Sequence, residues 1–387
     1  MKIITTTQEL ETLCDKLAND SFVTVDTEFM RETTFWPVLC LIQIAGKEEE
    51  AIIDPMKSGI SLAPFFSLMQ NERVLKVFHA ARQDLEIIYK LSGKLPKPLF
   101  DTQVAAMVCG FGDQVGYENL IRTLTGAQID KTSRFTDWSR RPLTDKQLSY
   151  ALSDVTHLRD AYEKLNDQLE TTGRTEWLSS EMEILLSTDI YAQDPKHAWK
   201  RVKARLNNKR SLAILMDVAR WREIEAQKND RPRNRILKDD ALAEIAIQKP
   251  KDKEAVGRLR AVPKGFMGSK FSGGLMDAIR QGMGKNTDDL PDPSKRPPQP
   301  PFNLGPIVEV LKVALKIVSD EQKVAPKLIA SVADLEKIAA DDAADVNALK
   351  GWRREIFGEN ALKLKHGELC IGLVDNKTVL LDIPAKH

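Results

Sequence analysis

Paired cysteines are missing from this chain. Its four, Cys14, Cys40, Cys109 and Cys370, are scattered and form no Cys-x-x-Cys, which argues against a disulfide framework or a zinc site and suits a reducing compartment. Residues Met1 to Thr6 lack the basic-then-apolar pattern of an export signal, and no apolar run reaches membrane-spanning length. The expectation is a soluble, cytoplasmic protein with no membrane contact. No Gly-x-x-x-x-Gly-Lys-Ser/Thr loop is present, which excludes a phosphate-cradling motor of the helicase kind. At 387 residues the chain exceeds one ordinary core and implies two or three domains.

An excess of one charge is also absent, with 57 Lys and Arg against 56 Asp and Glu. The balance conceals a segregation. Residues 1–170 carry 19 basic and 25 acidic side chains, net −6, whereas residues 196–285 carry 23 and 10, net +13. Lys196, Lys200, Arg201, Lys203, Arg205, Lys209 and Arg210 follow one another with no acid between them. A solvated lysine-rich helix face would explain one such cluster. An acidic domain joined to a basic one is the arrangement expected where one part cuts a polyanion and the other holds it.

The acidic part contains the chemistry. Asp26 and Glu28 close the short apolar strand Phe22-Val23-Thr24-Val25, and residues two apart on a strand share a face. Acids at strand ends are commonly solvated caps, so the pair alone decides little. Asp84 and Asp154 extend it. Around Asp154 the apolar stripe Leu148, Ala151, Leu152, Val155 and Leu158 marks a helix, on which Tyr150 and Asp154 are i and i+4 and address one ligand together. Carboxylates crowded without Cys or His clusters suit a hard divalent cation, Mg²⁺ or Mn²⁺, rather than Zn²⁺. The chemistry implied is metal-dependent phosphoryl transfer.

Asp26-x-Glu28, then His79-Ala80-Ala81-Arg82-Gln83-Asp84-Leu85, then Tyr150-x-x-x-Asp154 resemble the three motifs of the DEDD superfamily of 3′→5′ exonucleases. Ser149 stands where the sister class has His, so the tyrosine variant is indicated. Asp26-Thr27-Glu28-Phe29-Met30-Arg31, Leu41-Ile42-Gln43 and Asp137-Trp138-Ser139-Arg140-Arg141-Pro142-Leu143 narrow the resemblance to the ribonuclease D family over about residues 1–170. It implies a 3′→5′ exoribonuclease that trims tRNA precursors and other small structured RNAs, with no obligatory protein partner. The expected cofactors are two divalent ions roughly 4 Å apart. Asp26 would bridge them, Glu28 and Asp154 would complete one set of ligands, and Asp84 would hold the other ion. Tyr150 would orient the attacking hydroxide, and nucleoside 5′-monophosphates would leave. A DNA repair or proofreading-type exonuclease and an inactive nucleic-acid-binding module are the alternatives.

Secondary residues leave two readings open. Thr27 and Phe29 flank the acids and are expected at the substrate; Phe29, Phe35, Trp36 and Trp138 either stack on bases or pack the core. His79 either touches the scissile phosphate or is structural. Lys131 and Arg140 either contact phosphates or are solvated. Asp101 is read as the cap of the helix that follows it.

Short Val-, Ile- and Leu-rich runs predict strands at 22–27, 38–46, 51–54 and 74–78. Helical periodicity predicts helices near 8–19, 61–70, 80–91, 101–109, 117–125, 144–168 and 174–190. The fold class expected is an α/β ribonuclease-H-like exonuclease domain followed by two all-α helical domains, with no strand beyond about 205. The divisions are 1–170 for the exonuclease domain, 171–206 for a helical connector, 207–285 for a first helical domain, 286–302 for a Pro-rich extended linker and 303–387 for a second. Leu212, Leu215, Met216, Ala219 and Ile224 are the expected core stripe of the first helix. Arg235-Ile236-Leu237-Lys238 and Lys327-Leu328-Ile329-Ala330 precede similar blocks, as after a diverged duplication. Arg231-Pro232-Arg233-Asn234-Arg235 is similar to the helicase-and-RNase-D C-terminal (HRDC) family, and each helical unit is read as HRDC-like. The metal site is expected to survive removal of everything beyond about residue 200.

Overall fold

The computed structural model describes residues 2–130, 136–293 and 304–384. The first part is built on a mixed sheet of strands β1 (Ile3–Ile4), β2 (Phe22–Met30), β3 (Val38–Ala45), β4 (Glu50–Ile53), β5 (Leu75–Phe78) and β6 (Leu99–Asp101), in the order β1-β4-β3-β2-β5-β6. Strands β2, β3 and β4 form an antiparallel meander, and β5 and β6 add in parallel. The predicted strands are all present. Two more, β1 and β6, have two and three residues, too short to show alternation. One face of the sheet carries Val23, Val25, Ile42 and Ile44 against helix α1 (Thr7–Leu17) and its neighbours. The other carries Leu41, Ala45 and Ile52 under Leu148, Ala151, Leu152 and Val155 of helix α6 (Asp145–Thr171).

Helices α2 (Ala63–Met69), α3 (Arg82–Ser92), α4 (Thr102–Val108), α5 (Tyr117–Thr125) and α7 (Thr175–Leu185) complete this part. β2 pairs with β5 only over Phe22–Thr24, so from Val25 onward that edge is free of a neighbouring strand. The acids Asp26 and Glu28 therefore sit where side chains from other elements can converge. A bulge against β3 at Glu28 and Phe29 turns the end of the strand.

The first helical domain contains α8 (Lys209–Lys228), α9 (Arg233–Ile236), α10 (Asp239–Gln248), α11 (Lys253–Gly257) and α12 (Ser272–Gly284). Helix α8 is covered on several sides, so Ala213, Ile214, Val218 and Trp221 join the expected Leu212, Leu215 and Ala219 in the core. Ile224 is instead exposed and Met216 only half-buried, because a central helix does not obey a one-stripe pattern. Leu290 of the predicted linker packs back on this core; residues 294–302 of the linker lie outside the described residues.

In the last part, α13 (Leu304–Gln322), α14 (Pro326–Ile329) and α15 (Val332–Ala340) repeat the order long helix, single turn, short helix of the first helical domain. Both single turns end on an extended residue, Leu237 and Ala330, whose N–H bonds the carbonyl of the turn's first residue. Helices α16 (Gly351–Arg353) and α17 (Glu359–His366) follow, joined by a π turn. The expectation of no strand beyond 205 is corrected by the hairpin β7 (Leu369–Val374) and β8 (Lys377–Asp382). Its turn residues Asp375 and Asn376 both have positive φ, 49° and 61°, the pairing that a tight two-residue hairpin requires. No helix among the described residues is long and apolar enough to cross a membrane.

Both helical parts dock on the first. Trp177 stacks on Trp352 at 4.5 Å, Glu181 pairs with Arg353, and Ala325 N–H donates to the Met107 carbonyl at 2.9 Å. Phe35, from the loop after β2, is only 3% exposed and belongs to the core of the first helical domain. Removal of the chain beyond residue 200 would therefore expose Phe35. Helices α8 and α12 approach so closely at Gly282 that a Cβ there would lie 2.6 Å from the Ile214 Cα. Gly282→Ala should therefore lower stability by about 1–3 kcal/mol through overpacking, read as an earlier denaturation midpoint; an unchanged midpoint would mean the helices separate freely.

Candidate active site

The free end of β2 presents its side chains to both faces. Thr24, Asp26 and Glu28 lie toward α6, and the Thr24 hydroxyl donates to the Val155 carbonyl at 2.8 Å, pinning the helix over the acids. Asp154 comes down from α6. Carboxylate oxygens of Asp26, Glu28 and Asp154 lie within 4.8 Å of one another. Thr27 points to the opposite face, where its hydroxyl donates to the Asp84 carboxylate. Asp84 thus joins the group from behind the strand, and all four acids line one cavity of about 360 Å³.

Each acid is held by local structure. Helix α6 starts with a capping box of Thr144 and Gln147, which sets the register that brings Tyr150 one turn before Asp154. The Tyr150 phenol hydrogen-bonds the Asp154 carboxylate. Asp84 lies in the first turn of α3, after Ala80 with φ +57°. That left-handed residue is stabilised by Asp101, whose carboxylate accepts from Ala80 N–H at 3.0 Å, Ala81 N–H at 2.8 Å and Gln103 N–H at 2.8 Å. The expected cap of α4 therefore also fixes the start of α3.

The electrostatics are those of an anionic cavity without a counter-ion. Among the described residues its walls contain no Lys or Arg. Burial pushes Asp26 up to about 7. Burial, then Asp26, Asp154 and Asp84, push Glu28 up to about 9. Burial and the neighbouring Asp26 also raise Asp84 and Asp154 well above the usual carboxylate range. A purely oxygen donor set in this condition fits a hard divalent cation, which would relieve both the repulsion and the desolvation. Gln43 adds a polar group to the same neighbourhood: it pairs across the ladder with Asp26, is fully buried, and neither end of its amide has a partner.

Of the secondary residues, Phe29 and His79 line the cavity. His79 bonds Thr102 Oγ1 through Nδ1 at 2.9 Å, and burial lowers its pKa to about 4; it is a neutral wall at pH 7, not a cation. Thr27 reaches the cavity with its hydroxyl committed to Asp84. Arg140 is absent from the lining, its exposed side chain paired with Asp137 at 3.1 Å. Lys131 lies outside the described residues. Trp138 is buried beneath Tyr150, ring centroids 6.3 Å apart, and Trp36 lies under Lys90. Tyr117 had no sequence signal: its hydroxyl donates to the Asp154 carbonyl at 2.8 Å from the cavity wall, and burial holds the phenol protonated.

Raised carboxyl pKa values stabilise the fold only while the groups are protonated. Without metal, the contribution of Asp26 and Glu28 is fully present below their unfolded values near about 4 and is lost as pH rises through about 7 and about 9. In chelator the melting temperature should fall from pH 5.5 to 9 more steeply for the unaltered protein than for Glu28→Gln, and Mn²⁺ should remove the difference. Identical slopes for the two proteins would contradict the anionic-cavity account.

Comparison with known proteins agrees with the geometry. Residues 1–170 match a 3′-5′ exonuclease family model and residues 211–279 an HRDC domain. The chain is 51% identical over 382 residues to ribonuclease D of Nitrobacter hamburgensis, covering 99% of this chain and 100% of the relative. It is 47% identical to ribonuclease D of Bartonella henselae over 97% of this chain and 93% of the relative. The crystal structure of Escherichia coli RNase D, an exoribonuclease involved in structured RNA processing, superposes with a TM-score of 0.80 at 27% identity, covering 95% of this chain and 98% of that one. With identity of this order along almost the full length of both chains, and acids so placed around one cavity, the chain belongs to the ribonuclease D family.

Proposed function

We propose that this protein is a 3′→5′ exoribonuclease that shortens tRNA precursors and other small structured RNAs, releasing nucleoside 5′-monophosphates. The observation that carries the reading is the convergence of Asp26, Glu28, Asp84 and Asp154 on one cavity whose wall, among the described residues, contains no Lys or Arg. Asp26, Glu28 and Asp154 would hold one divalent ion, Mg²⁺ or Mn²⁺, and Asp84, with Asp26, a second. Such ions supply charge stabilisation for the phosphate and a water acidified to near neutrality.

The side chains do the remaining work by placement. Tyr150, bonded to Asp154 and lining the cavity, offers its hydroxyl to the attacking water and fixes its direction. Phe29, beside Glu28 in the same wall, provides a face for the terminal base, and Tyr117 holds the turn of α6 that carries Asp154. Exposed Lys196, Lys200 and Arg220 line a second groove, between the connector and the first helical domain, suited to the phosphates of the RNA body. Four free cysteines, three of them buried, support a cytoplasmic setting. The ribonuclease names of the relatives favour RNA over DNA.

Matched 3′-labelled RNA and DNA oligonucleotides, with Mg²⁺, Mn²⁺ or chelator, test the reading. RNA should be shortened from its 3′ end only with metal, and Asp26→Asn or Asp154→Asn should abolish the reaction. Tyr150→Phe should slow single-turnover cleavage about 10²-fold, the scale of a lost positioned proton donor or acceptor, while metal binding persists. Preference for DNA, or unchanged cleavage by these variants, would contradict the proposal.

A further inference from the structure

Two sequence motifs that the reaction itself does not use, Arg31 at the end of Asp26-Thr27-Glu28-Phe29-Met30-Arg31 and Arg233 in Arg231-Pro232-Arg233-Asn234-Arg235, turn out to be two ends of one hydrogen-bonded chain. Arg31 follows Glu28 by three residues and leaves β2. Its guanidinium grips both oxygens of Glu86, at 2.8 and 2.9 Å. Glu86 follows Asp84 by two residues in α3, so this fork ties the strand that carries two of the acids to the helix that carries a third. The Gln193 side chain donates to Glu86 Oε1 at 2.6 Å, and its own oxygen accepts from Arg233 of the first helical domain.

Arg233 is anchored in turn. Its fork reaches both oxygens of Glu223, each at 2.6 Å, and Arg201 adds a third bond at 2.7 Å. Glu223 is fully buried, so its charge depends on these two cations. The same region of the helical domain also grips the loop that continues from Arg31. Asp230, at φ +46°, accepts from Phe35 N–H and Trp36 N–H, both at 3.0 Å. Arg233 lies over the Phe35 ring at 4.4 Å, and Gln227 donates to the Gln193 carbonyl at 2.7 Å.

We infer that the first helical domain is a structural member of the active site: through Glu223, Arg233 and Gln193 it sets the position of the Arg31–Glu86 clasp, and so the spacing of Glu28 against Asp84. These are positioning residues. None of them lines the cavity or touches the reacting atoms. The inference rests on the reading of the acids as the metal site. It separates two roles for the helical domain, as a platform that holds the body of the RNA and as a brace that completes the catalytic geometry. Only the brace acts on a substrate too short to reach the platform.

The test uses the full chain and a dinucleotide RNA. Arg233→Met keeps the aliphatic stem and deletes the fork. Its kcat on the dinucleotide should fall about 10-fold to 100-fold, the scale of a small misplacement of catalytic groups, with KM little changed, and Mn²⁺ affinity by calorimetry should weaken several-fold. Arg233→Lys should not restore either, since one ammonium cannot replace a fork. Because Arg233→Met strips a buried carboxylate of a counter-ion, Gln193→Leu serves as a second variant that breaks the chain while leaving Glu223 paired; it should lower kcat in the same way with the melting temperature close to normal. Glu86→Gln combined with Gln193→Leu should be no worse than the more damaging single change, as expected for members of one chain. Normal dinucleotide kcat and Mn²⁺ affinity in a folded Gln193→Leu protein, with loss only on long RNA, would overturn the brace. Asp26→Asn is the reference: retention of Mn²⁺ binding there would overturn the metal site itself, and the brace with it.

Discussion

Carboxyl groups crowded together and withdrawn from bulk solvent are the constraint around which this molecule is arranged. Four carboxyl groups share about 360 Å³ with no Lys or Arg among the described residues of its wall; burial raises the pKa of each, and repulsion from neighbouring carboxylates adds to it for Glu28, Asp84 and Asp154. Left to itself the cluster opposes its own ionisation. The fold holds it together with bonds that do not neutralise it: Thr27 to Asp84, Tyr150 to Asp154, and Asp101 to the backbone before α3. The positive charge is left to be supplied from outside, as a site that must bind cations and release product requires.

The counter-ions that the protein does provide are used one layer out. Arg31 neutralises Glu86, and Arg233 with Arg201 neutralises Glu223. The first pair joins two segments of the nuclease part, and the second ties α9 and the connector to α8. An all-apolar contact could give the same burial, but forks fix distance and direction as well as contact. The domain boundary therefore runs through a polar network and through Phe35, and the nuclease part is not bounded by its own core. The last part is joined to the nuclease part by Trp177 on Trp352 and by Arg174, which donates to the Gln322 carbonyl.

The acids and Tyr150 were legible because their signals are local. An Asp-x-Glu pair on a strand and a Tyr and Asp one helical turn apart state their own geometry. The bond from Thr27 to Asp84 was not legible, because the same alternation that groups Asp26 with Glu28 turns the residue between them to the other face, and Asp84 meets it there only through the chain's long-range path. Asp101 showed its cap but not its second partner, which lies 20 residues back. Phe35 and Phe29 are indistinguishable in sequence, yet one enters the helical core and the other the cavity wall. Ile224 failed as a core residue because α8 is buried on several sides. The hairpin at 369–382 was hidden because its six-residue strands are largely exposed and show no buried face, and because its turn, Asp375-Asn376, needs two positive φ values that no periodicity reveals.

The central claim is that the four carboxyl groups exist to hold divalent cations. The most direct measurement is anomalous diffraction from crystals of the full chain grown with Mn²⁺. The account predicts anomalous peaks within the cavity, one among Asp26, Glu28 and Asp154 and a second beside Asp84, and their loss in Asp26→Asn crystals grown in the same way. Ordered, empty carboxyl groups in Mn²⁺, or peaks that persist without Asp26, would contradict it.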